Sequence, residues 1–325
     1  MVNNTKGGSL NQQPPTIEIR GLTKNYGNLL AVDHIDLDVY EGEIFGILGP
    51  NGAGKTTMIN VLTTLLRPTE GTAKVLGFDV EKQAKEIRKK IGVVFQNTIL
   101  EDDLTARETI DIHARLYGVP KEDREKRIRE LLDLFHLEDR QNDLVGTFSG
   151  GMKRRLEVAN GILHDPKVLF LDEPTVGLDP QSREVVWRYI EKINREKRMT
   201  ILLTTHYMDE ADRLCDRVGL IDNGRIVALG TPKSLKADVS PEEVIEVELE
   251  SPNEEAIRKI KRIGFVKEVI SEGNTFRITV ERGGKIFSQI IEQLNNEKIE
   301  IRSIFLRETT LNDVFLHYTG REIRD

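Results

Sequence analysis

The spacing of apolar residues changes several times along the chain. Near the start, Ile17-Glu18-Ile19 and Ile35-Asp36-Leu37-Asp38-Val39 alternate apolar with acidic side chains. A period of two predicts antiparallel strands with one wet face. IFGIL (44–48), IGVVF (91–95), VLFL (168–171) and ILLTT (201–205) are instead short unbroken apolar runs. Such runs predict strands covered on both faces, as in a parallel sheet. Helical patterns separate most of them, and Asn223-Gly224 between two apolar runs predicts a hairpin. Residues 16–235 therefore read as an α/β domain whose mixed sheet has a parallel core and an antiparallel β edge.

Residues 97–165 carry no good strand pattern and read as a helical insert in that domain. Thr105-Ala-Arg-Glu108 is a capping box that predicts a helix through Leu116, and Pro120 can open another. Beyond about 240 the period returns to two, with Ile245, Val247 and Leu249 between glutamates, then Phe276, Ile278 and Val280. Amphipathic helices are predicted around Ile257, Ile260 and Ile263, and around Phe287, Ile290, Ile291 and Leu294. The order predicts a small C-terminal α+β domain over 240–325, ferredoxin-like in pattern. Residues 1–15 read as a disordered tail.

Composition narrows the classes. With 47 basic and 54 acidic side chains the net charge is −7, which argues against nucleic acid as a partner. The first residues hold no apolar leader, and no run approaches the roughly 18 apolar residues of a spanning helix. A cytoplasmic protein is expected, with any membrane role supplied by another chain. The single cysteine, Cys215, excludes an intrachain disulfide, and the six histidines lack metal-ligand spacing.

The chemistry begins at Gly49-Pro50-Asn51-Gly52-Ala53-Gly54-Lys55-Thr56, which fits a phosphate loop at every fixed position. A buried strand precedes it. A helix with Met58, Leu62 and Leu65 on one face is predicted to follow it as far as Pro68. Backbone N–H groups and the helix N-terminus favour phosphate, Lys55 can reach the β- and γ-phosphates, and the Thr56 hydroxyl can ligate Mg²⁺. Thr57 follows at the same helix start. Asp172 ends a predicted buried strand and is the second candidate for Mg²⁺. Glu173 is the candidate general base. Gln96 and His206 end two further strands. Gln96 can sense Mg²⁺ or water, and His206 can meet the γ-phosphate or the attacking water.

A second turn, Ser149-Gly150-Gly151, opens a helix with Lys153, Arg154 and Arg155 just downstream. A hydroxyl, flexible backbone and a basic cluster at a helix start make a second anion site. The whole set resembles the nucleotide-binding subunit of an ABC transporter, a P-loop NTPase cassette. FSGGM (148–152) is similar to the family signature, with Phe148 and Met152 in place of the usual Leu and Gln. Tyr26, the phosphate loop, Gln96, Asp172-Glu173, Gly177-Leu178-Asp179 and His206 occur in the family's order.

The resemblance implies an ATPase using ATP and Mg²⁺, working as a head-to-tail homodimer with two nucleotides between the chains. It implies Tyr26 on adenine, Ser149 and Gly151 on the partner's γ-phosphate, Asp179 at the interface, and Gln96 linking the site to the insert, which receives a membrane permease. FSGGMKRRLEVANGILHDPKVLFLDEPTVGLDPQSR and LNDVFLHYTGREIRD resemble the daunorubicin-resistance group of exporters. That implies a subunit peripheral to the inner membrane face, powering export of hydrophobic or amphipathic compounds. A soluble ABC-type ATPase without a transport role is the alternative, but duplicated cassettes and long coiled-coil inserts are absent from the sequence. A non-hydrolysing regulatory module is a further alternative, against which Glu173 and His206 speak.

Overall fold

The computed structural model describes residues 14–239, 242–250, 258, 261, 264, 266–272, 274–281, 286–296, 301–307 and 309–321. The chain divides into two compact units, one reaching Thr231 and the other running from Pro232 to Glu322. The expected first domain ran to 235, whereas α8 (Pro232–Val239) falls in the second unit. Most of the expected N-terminal tail, residues 1–13, lies outside the described residues.

In the first unit, a six-stranded sheet has the order β10-β9-β3-β8-β7-β6. Its strands are β3 (Ile44–Leu48), β6 (Ile91–Val94), β7 (Val168–Asp172), β8 (Thr200–Thr205), β9 (Arg217–Asp222) and β10 (Arg225–Gly230). β9, β3, β8, β7 and β6 pair in parallel, and only the hairpin strand β10 is antiparallel. Every residue of β3, β7 and β8 is buried, as their unbroken apolar runs require. The hairpin turns at Asn223 and Gly224, both at positive φ (47° and 77°), which these two residue types tolerate.

The alternating strands do not border this sheet. β1 (Ile17–Tyr26), β2 (Leu29–Val39), β4 (Glu70–Val75) and β5 (Phe78–Asp79) form a separate antiparallel sheet of order β2-β1-β4-β5. Helix α1 (Lys55–Leu62) joins the two sheets, since Met58, Ile59, Val61 and Leu62 share one core with Ile19, Leu22, Val75, Phe45 and Phe170. Each such side chain, wholly buried, contributes roughly 1.5–3 kcal/mol. α1 stops earlier than its apolar spacing suggests. Thr64 has a positive φ of 67°, and Leu65 is 55% exposed.

The insert is helical as patterned. α3 (Ala106–Leu116) starts on the Thr105–Glu108 capping box, and α4 (Lys121–Leu134) follows Pro120. α5 (Gly150–Gly161) ends the insert and α6 (Pro180–Lys197) follows β7. α7 (Met208–Leu214) leads to Cys215, which is buried.

The second unit contains β11 (Glu242–Leu249), β12 (Val266–Glu272), β13 (Thr275–Glu281), α9 (Ile286–Asn296), β14 (Ile301–Arg307) and α10 (Leu311–Thr319). Its antiparallel sheet runs β12-β13-β11-β14, so β13 separates β11 from β12 in the split arrangement expected of a ferredoxin-like pattern. Ile290 and Leu294 of α9 pack with Ile245, Val247, Phe276 and Ile278. The helix expected at Ile257, Ile260 and Ile263 lies outside the described residues.

Candidate nucleotide site

Parallel strands bring all their carboxyl ends to one edge, the usual place for a ligand in such sheets. Here that edge collects the loop after β3, Gln96 after β6, Asp172 and Glu173 at the end of β7, and His206 after β8. A cleft of about 370 Å³ opens there, lined in part by Tyr26, Asn51, Gly52, Gly54, Lys55, Thr56, Thr57, Gln96 and Glu173. Tyr26 ends β1, and its ring is 44% exposed.

The loop's shape depends on glycine at its tightest point. Gly54 has φ 104°, and a Cβ there would stand 2.2 Å from the Ala31 carbonyl oxygen. Backbone bonds secure the turn. Gly49 N donates to Thr205 O (3.2 Å), Ala53 N to Pro50 O (3.2 Å), and Gly224 N to Ala53 O (3.0 Å). Lys55 opens α1 with its side chain only 4% exposed, and its Nζ donates to the Gly49 and Pro50 carbonyls at 2.7 and 3.1 Å.

Glu173 stands at the centre. Its φ of 47° is rare for a non-glycine residue and marks where the chain turns out of β7. Its backbone N donates to both Thr204 O and Thr204 Oγ1, each at 3.1 Å. Its carboxylate meets Lys55 Nζ (3.0 Å), Gln96 Nε2 (3.0 Å) and His206 Nδ1 (3.3 Å). Lys55 and Glu173, both 4% exposed, neutralise each other where either charge alone would be costly. Asp172 is 1% exposed and does not line the cleft, and the Thr204 hydroxyl donates to its Oδ1 at 2.5 Å.

Ser149, Gly150, Gly151 and Asp179 are not among the residues lining this cleft. Ser149 caps α5, its Oγ accepting from Met152 N at 3.3 Å, and both Ser149 and Gly150 are exposed. A Cβ on Gly151 would stand 2.7 Å from Ser182 Oγ, so glycine lets this turn press against α6. Asp179 caps α6 through Gln181 N and Ser182 N, both at 3.0 Å. A further bond from Ser182 Oγ (2.6 Å) heads the contacts that hold the carboxyl below its usual pKa range.

The basic cluster after the signature turn does not face an anion. Arg154 is buried, and its guanidinium donates to the carbonyls of Pro174 (2.6 Å), Phe95 (2.6 Å), Asp172 (3.1 Å) and Glu173 (3.0 Å), and to Glu157 Oε2 (2.9 Å). Arg155 bonds the Phe135 and His136 carbonyls, and Lys153 bonds Asp102 at 2.6 Å. Arg154 is the residue that sequence reasoning missed. The signal was present, since Gly151, Arg154, Val158 and Gly161 recur at three- and four-residue spacing on a helix buried nearly all round.

A second missed group is Glu210, which is 0% exposed. Its Oε1 accepts from Thr175 Oγ1 and Trp187 Nε1, both at 2.8 Å. Burial raises its pKa, against the opposing hydrogen bonds.

Comparison with known proteins agrees with this geometry. Residues 32–176 match the ABC transporter family, and residues 230–319 match the C-terminal domain of DrrA1-3-like ATP-binding proteins. The chain is 40% identical over 322 residues to the daunorubicin/doxorubicin resistance ATP-binding protein DrrA of Streptomyces peucetius, covering 97% of this chain and 96% of that protein. It is 37% identical over 311 residues to Nod factor export ATP-binding protein I of Ralstonia nicotianae, covering 96% of each. Among solved structures, an ATP-binding cassette seen as a dimer in a post-hydrolysis state with ADP and Pi aligns with TM-score 0.60 and 28% identity, over 66% of this chain and 98% of that one. With its phosphate loop, its acidic strand end and its signature turn on one cassette, the chain belongs to the ABC transporter family, as an ATP-binding and ATP-hydrolysing subunit of the exporter type.

Proposed function

We propose that two copies of this chain close head to tail around two ATP molecules and drive export of hydrophobic or amphipathic compounds through a separate membrane permease. One observation carries the reading: the cleft is half a site. A single chain lines it with Tyr26, the phosphate loop, Gln96 and Glu173, and His206 reaches it through Glu173, while its exposed signature turn and Asp179 lie off the cleft. A second chain's signature turn supplies the missing N–H groups and hydroxyl. ATP then favours the closed pair because it meets both halves only there. The dimeric relative holding ADP and Pi supports this arrangement.

Within the closed pair, each residue has one task. Tyr26 stacks on adenine. The loop from Gly49 to Thr57 wraps the phosphates, and Lys55 leaves Glu173 for the β- and γ-phosphates. Glu173, released, accepts the proton of the attacking water, with His206 and Gln96 fixing its orientation. Ser149 and Gly151 hold the partner's γ-phosphate, and Asp179 borders the interface.

The donor set fits Mg²⁺. Among the described residues no three His, Cys, Asp or Glu side chains cluster to hold a metal. Mg²⁺ instead takes one or two protein oxygens together with phosphates and water. The Thr56 hydroxyl and the Gln96 amide oxygen offer such donors at the cleft, and Asp172, set behind it, acts through water. Mg²⁺ would neutralise charge on the β- and γ-phosphates.

The permease meets the insert. A groove of about 420 Å³ lies beside Gln96, lined by Phe95, Ile99, Tyr117, Glu157 and Asn160 among others. Asn160 is buried at the wall of this groove, and its amide has no hydrogen-bond partner among the described residues. Among the described residues no helix is long and apolar enough to cross a membrane. The subunit is placed on the cytoplasmic membrane face by that contact.

Complementation tests the half-site. A Lys55→Ala chain and a Ser149→Arg chain should each be inactive alone. An equal mixture forms mixed pairs with one intact pocket, recovering roughly a quarter of the parental ATPase rate if pairing is random. An inert mixture of folded chains overturns the proposal.

A further inference from the structure

In the second unit, the sheet β12-β13-β11-β14 packs one face against α9. Ile245, Val247, Val269, Phe276 and Ile278 point to the core, with Ile304 and Leu306 packed against it. The residues between them therefore point outward. Strand register sorts them into rows across the sheet. One row runs Phe305, Glu246, Arg277, Ile270. The next begins with Arg307 on β14 and ends with Glu268 on β12. Phe305 is 64% and Ile270 46% exposed, so no described residue covers either one.

The first row is its own complement when reversed, and the second is so at its two ends. An apolar residue stands at both ends of the first, and opposite charges occupy its two middle places. Opposite charges also end the second. We propose that this face pairs with the same face of a second copy, about a two-fold axis parallel to the strands and lying between β11 and β13.

Such an axis reverses each row over itself. It sets Phe305 against the second copy's Ile270, Glu246 against its Arg277, and Arg307 against its Glu268, and it repeats each contact on the other side. Packed sheets lie about 10 Å apart, a gap that Arg, Glu, Phe and Ile side chains fill from both sides. The interface is isologous and closed, so it gives dimers and not fibres. Arg277 already lies 3.9 Å from Glu246 in its own sheet, and Arg307 3.7 Å from Asp313. The second copy adds a further carboxylate to each of these arginines. The contact does not depend on ATP and would keep two subunits together between turnovers.

Charge exchange tests this without nucleotide, where a sandwich around ATP is not held. Sedimentation velocity of the full chain over a concentration series should give a monomer–dimer equilibrium. Arg307→Glu and Glu268→Arg should each weaken dimerisation by about tenfold or more, because each places two like-charged pairs across the axis. Mixed in equal amounts, the two variants should recover the parental affinity, since every pair is again opposite in charge. That recovery also shows that both variants fold. A parental chain that stays monomeric, variants that dimerise like the parent, or a mixture no tighter than its components would each overturn the proposal. ATPase complementation of the cassette variants is read separately, so failure of either idea leaves the other standing.

Discussion

The phosphate loop and the signature turn are both glycine-bearing turns that open a helix, yet their surroundings are opposite. Behind the phosphate loop lies a charged cleft in which Lys55 bonds two loop carbonyls and Glu173. The signature turn is exposed at Ser149 and Gly150, and the arginines that follow it point back into their own chain. The first turn is backed by the groups that would act on a phosphate. The second offers only its own hydroxyl and N–H groups, held at a fixed position. Similar local chemistry thus makes most of a site in one place and, in the proposed pair, a lid for another molecule's site in the other.

The comparison breaks most sharply at Glu173. Glu173→Gln keeps the shape and the contacts to Gln96 and His206 within reach, but removes the proton acceptor. ATPase turnover should fall by about 10²- to 10⁴-fold, the usual range for a general base, while ATP binding persists. Without the carboxylate, phosphate has one fewer competitor for Lys55, so ATP should bind at least as tightly. Single-turnover hydrolysis and equilibrium nucleotide binding separate the two effects. A variant that hydrolyses at the parental rate removes Glu173 from the base role.

Features set by neighbours in sequence were legible beforehand. The Thr105–Glu108 cap, the Asn223-Gly224 turn and the buried strands each depend on a few adjacent residues. Features that join distant segments were not. β4 carries Glu70, Gly71 and Lys74 with only two buried residues, so nothing in it signals a strand beside β1. The grip of Lys55 on Glu173 spans more than a hundred residues. Arg154 looked like part of the basic cluster of a second anion site, because three consecutive basic residues mask the one that turns inward. The site residues at the strand ends were legible for a different reason: parallel strands gather their carboxyl ends whatever the connections between them.

Arg154 sharpens the comparison from the other side. Its guanidinium ties the signature helix to the carbonyls of Phe95, Asp172, Glu173 and Pro174 in the same chain. In the proposed pair, the lid over one site is therefore fixed to the base of the other. Arg154→Met removes the charged donor from these carbonyls and from the buried Glu157, and should cost about 3–5 kcal/mol in denaturant unfolding, as for other broken buried pairs. Arg154→Lys should lie between the two, because an ammonium has three donors where the guanidinium has five. A methionine variant as stable as the parent would mean that the carbonyls find other donors and that the clamp is dispensable.

The smallest effect concerns the support beneath the signature turn. Gly151 presses on Ser182 of α6, and α6 is held in turn by Trp187 on Glu210. Burial raises the Glu210 pKa, so the folded chain binds this proton more tightly than the unfolded chain does. The contribution is complete at pH below the ordinary glutamate value and is lost as pH rises through the folded value. At neutral pH, Glu210 is thus either protonated at a cost or charged in an apolar setting. Glu210→Gln keeps an acceptor for Thr175 and Trp187 and does not titrate. It should raise the melting temperature near neutral pH by about 2–4 °C, close to 1 kcal/mol for a unit of this size. The gain should shrink as pH falls from neutral toward the ordinary glutamate value, where the contribution of the parental carboxyl is complete. A gain that is equal at both pH values would mean that Glu210 does not titrate between them, and a loss at neutral pH would mean that Glu210 is charged and stabilising as it stands, and that α6 depends on that charge.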